Sequence, residues 1–442
     1  MKIIYVTANL PHGAHEAFIV SEIRQLLTTG HDVLIVPRSP RGRVFHGQDL
    51  LKYARRVALF SPGVLKTAAK ATLAAPAKTV AAVRLLLGAS SLGVTLKNLA
   101  TVPKALWLAD VAARWKADHI HCHWAGTTAT IAMLASKLSG IPWSLTAHRW
   151  DIVENNLLAA KVRSATVVRF ISEDGLRMAG DLGIGPVKNT RVLHMGVPIP
   201  ARGARRPGPR AVVLCPARFA EVKGHRYLLE AWQILQRRGL DAELWLAGQG
   251  ELRSQLEELT NALGLAGSVR FLGVLPHSAL LKIYEEGAVS AVVLASLDLG
   301  NGLHEGIPVA LIEAMSYGIP VVTTATGGTA ELVIPEAGLL VPSANPAALA
   351  DAIQRLLQDA QLREQLGDSG RRRVAERYDV VRVAAELVNE FEAATQTGRL
   401  CLTRSTFVRS QAVSHVGMST ADEHQVVRCS RRAGDGQPRA AE

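Results

Sequence analysis

The chain has 442 residues, 48% hydrophobic and 5% aromatic, with a formal net charge of +12. That length allows at least two hydrophobic cores, and the Ala, Leu, Val and Gly bias suits helices packed closely on a sheet. Cys122, Cys215, Cys401 and Cys429 show no Cys-x-x-Cys spacing and read as reduced thiols of a cytosolic protein. The start lacks a secretory leader, and no apolar run reaches bilayer-spanning length.

The first half reads as a βαβ series. A strand is expected at 3–7, a helix at 16–29 ended by Gly30, and a strand at 32–36. Residues 50–109 contain no Asp or Glu but carry Lys52, Arg55, Arg56, Lys66, Lys70, Lys78, Arg84, Lys97 and Lys104. Cations on Ala/Leu-rich helices suit an anionic membrane surface, at about 1 kcal/mol per basic group. A plainly solvated basic face is the alternative. Nucleic acid is disfavoured, because no aromatics interleave the charges. Strands at 119–122, 143–146 and 166–171 follow, with helices at 127–139 and 173–182. Such alternation implies a parallel, doubly wound sheet.

Residues 198–210 have linker composition. A second series has strands at 211–215, 243–247, 269–271, 291–294, 320–323 and 339–341. The expected fold class is α/β, two doubly wound domains (1–197 and 211–377) facing across a cleft, with a ligand at the carboxyl ends of both sheets. An amphipathic helix is expected at 378–394. Residues 395–442 lack periodicity and read as a disordered tail.

The tightest chemical pattern is Glu305-Gly-Ile-Pro-Val-Ala-Leu-Ile-Glu313. Pro308 suits a first helical turn, Gly306 permits close backbone approach, and Gly318 can close the helix in a left-handed cap. Glu305 then precedes the helix and Glu313 lies inside it, bracketing a ligand about one nucleotide sugar long. Free N–H groups and the positive dipole end between them suit a phosphate. The bland reading is two surface carboxylates on a solvated helix.

Arg218 and Lys223 follow the strand at 211–215 and could clamp a diphosphate, though two surface cations on a loop are the commoner fate of such residues. Gly248-Gln-Gly250 begins like a dinucleotide fingerprint, but Arg253 stands where a third glycine belongs, so a tight turn beside the cleft is the better reading. His148 and Asp151, in Thr-Ala-His-Arg-Trp-Asp, are placed to bond substrate hydroxyls, with a histidine capping local backbone as the alternative. His119, His121 and His123 alternate along one strand face like zinc ligands, but no matching cluster accompanies them, and no metal is expected.

Together these residues resemble the family 4 glycosyltransferases, retaining enzymes of GT-B fold, over residues 1 to about 394. The most specific stretch runs from Glu305 to Val333, including Gly327-Gly328-Thr-Ala-Glu331. Thr146–Ile152 and His194-Met-Gly196 are most similar to bacterial exopolysaccharide transferases of the colanic-acid type. The resemblance implies that Glu313 holds ribose hydroxyls and that Glu305 contacts the donor sugar. Gly306, Ile307, Pro308 and Val309, with Arg218 and Lys223, would neutralise the diphosphate, and His148 would position sugar hydroxyls. The base would rest near Phe271 and Leu272, beside Gly248 and Gly250. Asp151, His123 and Glu16 would lie on the acceptor side. The last helix would cross back onto the first domain.

The implied partners are a nucleotide-sugar donor (UDP before GDP), a glycan or lipid-linked acceptor and an anionic membrane surface, with no cofactor. The implied place is the inner face of the cytoplasmic membrane. A catalytically silent sugar-nucleotide-binding protein and a GT-B epimerase are the competing readings.

Overall fold

The structure, a computed structural model, describes residues 1–13, 16–44, 46–185, 187–201 and 210–413, with side chains to 396. Met1–Thr395 form one compact unit. Its first sheet contains β1 (Lys2–Thr7), β2 (Asp32–Pro37), β3 (His119–His123), β4 (Trp143–Ala147), β5 (Val167–Phe170) and β6 (Thr190–Val192). All pairs are parallel and the spatial order is β2-β1-β3-β4-β5-β6. Strands such as Ile-Ile-Tyr-Val are apolar on both faces because helices cover both.

The strand β3 departs from that rule. His119, His121 and His123 share one fully buried face. Register pairs His121 with Ser144 and His123 with Thr146 on β4. Ser144 Oγ lies 2.6 Å from His119 Nε2 and 2.7 Å from His121 Nδ1, and Thr146 Oγ1 lies 3.1 Å from His121 Nε2. The alternating histidines are a buried polar stripe inside the sheet, hydrogen-bonded except at His119 Nδ1.

The second sheet contains β7 (Ala211–Pro216), β8 (Ala242–Ala247), β9 (Val269–Gly273), β10 (Ala291–Leu294), β11 (Val321–Thr324) and β12 (Leu339–Val341), in the order β12-β11-β10-β7-β8-β9. In each sheet the winding reverses once, between β1 and β3 and between β7 and β10. Doubly wound sheets hold ligands outside the carboxyl ends of the strands at such switch points.

Residues 202–209 of the expected linker lie outside the described residues. The final helix is Val380–Val413, longer than the expected 378–394, so the segment 395–413 joins the helix instead of a tail. Residues 414–442, the rest of that tail, lie outside the described residues, as does Cys429. Ala384, Leu387, Val388 and Phe391 from this helix pack with Ile3, Tyr5, Ile19 and Ile23 of the first domain. Phe391 also stacks on His119 at 4.3 Å. The last helix therefore does cross back.

The basic segment folds into helices Pro62–Ala74, Pro76–Arg84, Leu92–Leu99 and Val102–Trp115. One of its cations is no surface charge. Lys104 is fully buried, and its Nζ donates to the carbonyls of Pro37 (2.5 Å), Arg38 (3.0 Å) and Val57 (2.6 Å). Burial, with Arg38 nearby, pushes its pKa down to about 8. The helix Val102–Trp115 belongs to the domain core through Ala105, Leu108 and Ala112.

Candidate active site

The switch point of the second sheet builds one wall of the cleft. Arg218 and Lys223 follow β7. The loop after β10 returns through Glu305 into the helix Val309–Ser316. Pro308 is the N-cap residue, with ψ 112°, and not the first helical residue, so the helix starts one position later than proline preference suggests. The first N–H groups of such a helix have no intrahelical acceptor.

Lys223 Nζ lies 2.5 Å from Glu305 Oε1, and both side chains are partly exposed. Arg218 pairs instead with Glu251 at 2.9 Å, where both are open to water and the pair is held weakly. The loop is fixed from behind. Gly327 has φ +49°, and a Cβ there would lie 1.9 Å from the Glu305 carbonyl oxygen. Glycine in the Gly-Gly-Thr segment is therefore a condition for the position of Glu305.

A cavity of about 460 Å³ gathers Arg218, Lys223, Glu305, Gly306, Ile307 and Val309 opposite Phe18, Trp124, His148 and Met195 of the first domain. Arg218 and Glu251 also line an adjoining cavity of about 480 Å³, with Gly248, Gly250, Val274, Leu275 and Leu280. A Cβ on Gly248 or Gly250 would lie 2.0 Å from Ala217 O or 2.3 Å from Phe219 O, so this Gly-x-Gly permits loop-to-loop contact. Phe271 and Leu272 do not line that cavity; they pack on the core. Because β9 continues through Gly273, the lining begins at Val274.

Glu313 is nearly buried on the helix Val309–Ser316, and its Oε1 lies 2.6 Å from His277 Nε2. Burial pulls the His277 pKa down, but the bond to Glu313 outweighs it and leaves the pKa raised. His277 opens the helix His277–Glu285, 36 residues from its partner. No motif marked it.

On the first-domain side, His148 stacks on Trp124 at 4.4 Å, and its Nε2 lies 3.3 Å from His123 Nδ1. His123 Nε2 is 3.0 Å from Glu22 Oε1, and Glu22 Oε2 accepts from Arg169 at 2.5 Å. Burial, His123 and Arg169 hold the His148 pKa well below the usual imidazole value, so it faces the cleft uncharged. His123 is fully buried behind His148, so it does not reach an acceptor directly. Glu22, His121 and His123 have the spacing of a metal trio. Arg169 and the Tyr5 hydroxyl already occupy the Glu22 carboxylate, which leaves the trio poorly suited to a cation.

Glu16 is also used internally. Its oxygens accept from the N–H groups of Ala8 (3.0 Å), Asn9 (2.6 Å) and Leu10 (2.7 Å) and from Trp124 Nε1 (2.8 Å). It ties the loop after β1 to Trp124 and is no free acceptor ligand. Asp151 accepts from the His148 N–H at 2.9 Å, and burial pushes its pKa up to about 6.

Residues 201–373 match the family model described as Glycosyl transferases group 1. The chain therefore carries a group 1 glycosyl transferase domain within a GT-B fold. The amylovoran biosynthesis glycosyltransferase AmsK of Erwinia amylovora is 26% identical, over 81% of this chain and 91% of that protein. The uncharacterized glycosyltransferase MJ1607 of Methanocaldococcus jannaschii is 33% identical, over 42% of this chain and 45% of that protein. The putative colanic acid biosynthesis glycosyltransferase WcaL of Escherichia coli is 33% identical, over 40% of this chain and 43% of that protein. The chain thus spans under half the length of the latter two. Among solved structures, Anabaena HepE in complex with UDP-glucose superposes with a TM-score of 0.66 at 17% identity, over 89% of this chain and all of HepE.

Proposed function

We propose that this glycosyltransferase moves a sugar from a nucleotide donor, UDP before GDP, to a saccharide acceptor of a cell-surface polysaccharide, with retention at the anomeric carbon. The observation that carries the reading is the pair of adjoining cavities sharing Arg218. The cavity containing Lys223, Glu305 and the helix tip takes the sugar and diphosphate. The other, between Gly248, Gly250 and Val274, takes the base. HepE, of the same fold, was solved with UDP-glucose.

In this reading the acceptor hydroxyl oxygen bonds to the donor's anomeric carbon as the carbon–phosphate oxygen bond breaks. The nucleoside diphosphate leaves, and the hydroxyl proton passes to the departing phosphate on the same face. Lys223, Arg218 and the helix N–H groups stabilise the developing phosphate charge, worth about 1.5–3 kcal/mol per charge-assisted bond. Glu305 contacts the donor sugar beside the anomeric carbon, neutral His148 bonds its hydroxyls, and Glu313 holds the ribose. This chemistry requires no metal, because the positive charge comes from side chains and a helix end. The enzyme works at the inner face of the cytoplasmic membrane, held there by the basic helices between Pro62 and Leu99.

The test is a thermal-shift screen with UDP-, GDP- and ADP-sugars. A ligand at a hundred times its Kd adds about 2.7 kcal/mol, so the cognate base stands out as an upward shift of several degrees. No shift with any of them would sink the donor reading. Binding without turnover against any glycan fraction would favour a silent binding protein.

A further inference from the structure

Glu22 stands on the inner face of the helix Ala17–Thr28, fully buried, and bonds to Tyr5 of β1, His123 of β3 and Arg169 of β5. The donor reading makes no use of it. A carboxylate in that place is costly unless its oxygens are matched. Burial alone would raise its pKa, but Arg169 and the bond from His123 outweigh burial and hold it well below the usual carboxylate value. A buried ion pair adds little over apolar residues of similar size, so stability is a poor account of this one. Its hydrogen bonds run instead toward the cleft, and they have a direction.

The far end cannot reverse. Arg169 can only donate, and it gives Nη1–H to Glu22 Oε2 at 2.5 Å, Nε–H to Leu193 O at 2.7 Å and Nη2–H to His194 O. The ionised Glu22 can only accept, so His123 carries a hydrogen on Nε2, 3.0 Å from Oε1. Arg169 already balances this carboxylate, and a second buried cation at His123 would be left unmatched. His123 Nδ1 is therefore bare. Its contact with His148 Nε2, at 3.3 Å, then requires the hydrogen to sit on His148. An uncharged ring with Nε2–H has Nδ1 as its acceptor. The Asp151 N–H, in the helix Arg149–Glu154, is already taken by the His148 carbonyl at 3.0 Å. Trp124 at 4.4 Å and Phe18 at 5.3 Å fix the plane of the His148 ring. Trp124 does so from φ +74°, a strained region for a bulky residue and one met mostly at functional positions.

We propose that Glu22 and His123 are positioning residues that fix His148 as its Nε2–H tautomer, so that His148 meets the donor sugar only as a hydrogen-bond acceptor, through Nδ1. His148 lines the cleft and is the one member of the network that does. A sugar hydroxyl donates to it. A sugar with hydrogen or fluorine in place of that hydroxyl has nothing to give, so the buried carboxylate sets which sugars bind without touching them. The ligand named here rests on the donor reading above; the tautomer rests on the first domain alone.

The experiment reads the tautomer directly, by long-range proton–nitrogen correlation spectra of the full chain labelled with nitrogen-15 at histidine, the His148 signals being assigned by their loss in H148Q. The wild type should show a protonated Nε2 and a bare Nδ1. Glu22→Gln should exchange the two. Arg169 still demands an oxygen, so the amide turns its NH2 toward His123 Nε2, His123 donates from Nδ1 to His148 Nε2, and the His148 hydrogen moves to Nδ1. A wild type protonated at Nδ1 overturns the proposal, as does a folded Glu22→Gln with the wild-type tautomer. If Glu22→Gln does not fold, the wild-type spectrum decides. A second arm measures calorimetric binding of UDP-glucose and of its derivatives with each sugar hydroxyl replaced in turn by hydrogen or by fluorine. At one position both replacements should weaken binding to the wild type about tenfold, the loss of one good hydrogen bond. In Glu22→Gln the fluorine derivative should regain part of that loss, because Nδ1–H can donate to it, while UDP binds both proteins equally. Fluorine tolerated at every position overturns the acceptor role of His148. UDP-glucose and UDP that bind neither protein strike the donor reading instead, and the wild-type tautomer then decides this one.

Discussion

Lys223 and Glu305 meet at 2.5 Å in a partly open cleft, each the nearest countercharge the other has. In the proposed reading a diphosphate entering there would compete with Glu305 for the lysine, and the pair would mark where charge changes during the reaction. Lys223→Met should lower kcat/KM by about 10²–10³, the loss typical of one missing donor at a developing anion. Its circular dichroism should match the wild type, since the side chain is not part of a core. A loss under tenfold would remove Lys223 from the chemistry. The His277–Glu313 bond gives a pH signature. A histidine with a raised folded pKa adds stability that is fully present below its ordinary value of 6.5 and is lost as pH rises through the folded value. The stability gap between wild type and His277→Gln should therefore be larger at pH 6 than at pH 8.5 by denaturant unfolding; a gap that widens with pH contradicts the assignment. Glu305 and Glu313 were legible in the sequence because helix signals place them before and inside one helix, and Lys223 because it follows a strand at its carboxyl end. His277 was not, since its only link to the site is a fold contact across 36 residues. His123 and Glu16 were assigned to the acceptor side because residue type shows chemistry but not exposure. Each has its polar atoms committed inside the first domain.

Helices and strands followed the hydrophobic periodicity closely, and the switch points followed from the alternation of strand and helix. Contacts between the two domains had no such signal. Glu331 in Gly-Gly-Thr-Ala-Glu looks like part of the donor motif, yet its carboxylate accepts from the N–H groups of Glu173 at 2.9 Å and Asp174 at 2.8 Å. Those groups open the helix Glu173–Asp181 of the first domain, so one domain caps a helix of the other. Arg149 adds a bond from the first domain to the Gly302 carbonyl. The cap holds the cleft in the observed arrangement. Glu331→Ala should remove about 1 kcal/mol from that arrangement, as loss of a cap residue does. A closed population lowered by that amount weakens donor binding about fivefold, readable as a higher Kd for the nucleotide sugar. Unchanged Kd alongside a loss of global stability would make Glu331 a structural cap only.

The whole molecule carries its positive charge unevenly, and the exposed apolar residues gather in the same place. Apart from Lys104, the cations of the basic segment are exposed. Leu73 is 83% exposed, Leu92 75% and Leu87 65%, far more than isolated surface leucines need. No single described helix is long and apolar enough to cross a bilayer, and the helical stretches Pro62–Ala74 and Pro76–Gly88 meet at 108°, so an arrangement along the surface suits them better than a span. Two forces then act together: charge attraction, about 1 kcal/mol per basic group near an anionic surface, and burial of leucine side chains at its edge. They separate by salt, because only the first is screened. The wild type should sediment with anionic vesicles at low salt, weakly at high salt, and poorly with neutral vesicles. L73S/L87S/L92S should cut anionic-vesicle binding about tenfold or more and make what remains wholly salt-sensitive, with donor affinity untouched because none of the three lines the cleft. Equal binding of the wild type to neutral and anionic vesicles would remove charge from the argument. Equal binding of the triple variant and the wild type would remove the leucines. A transferase held this way would meet a lipid-borne acceptor in two dimensions while drawing its soluble donor from the adjoining water.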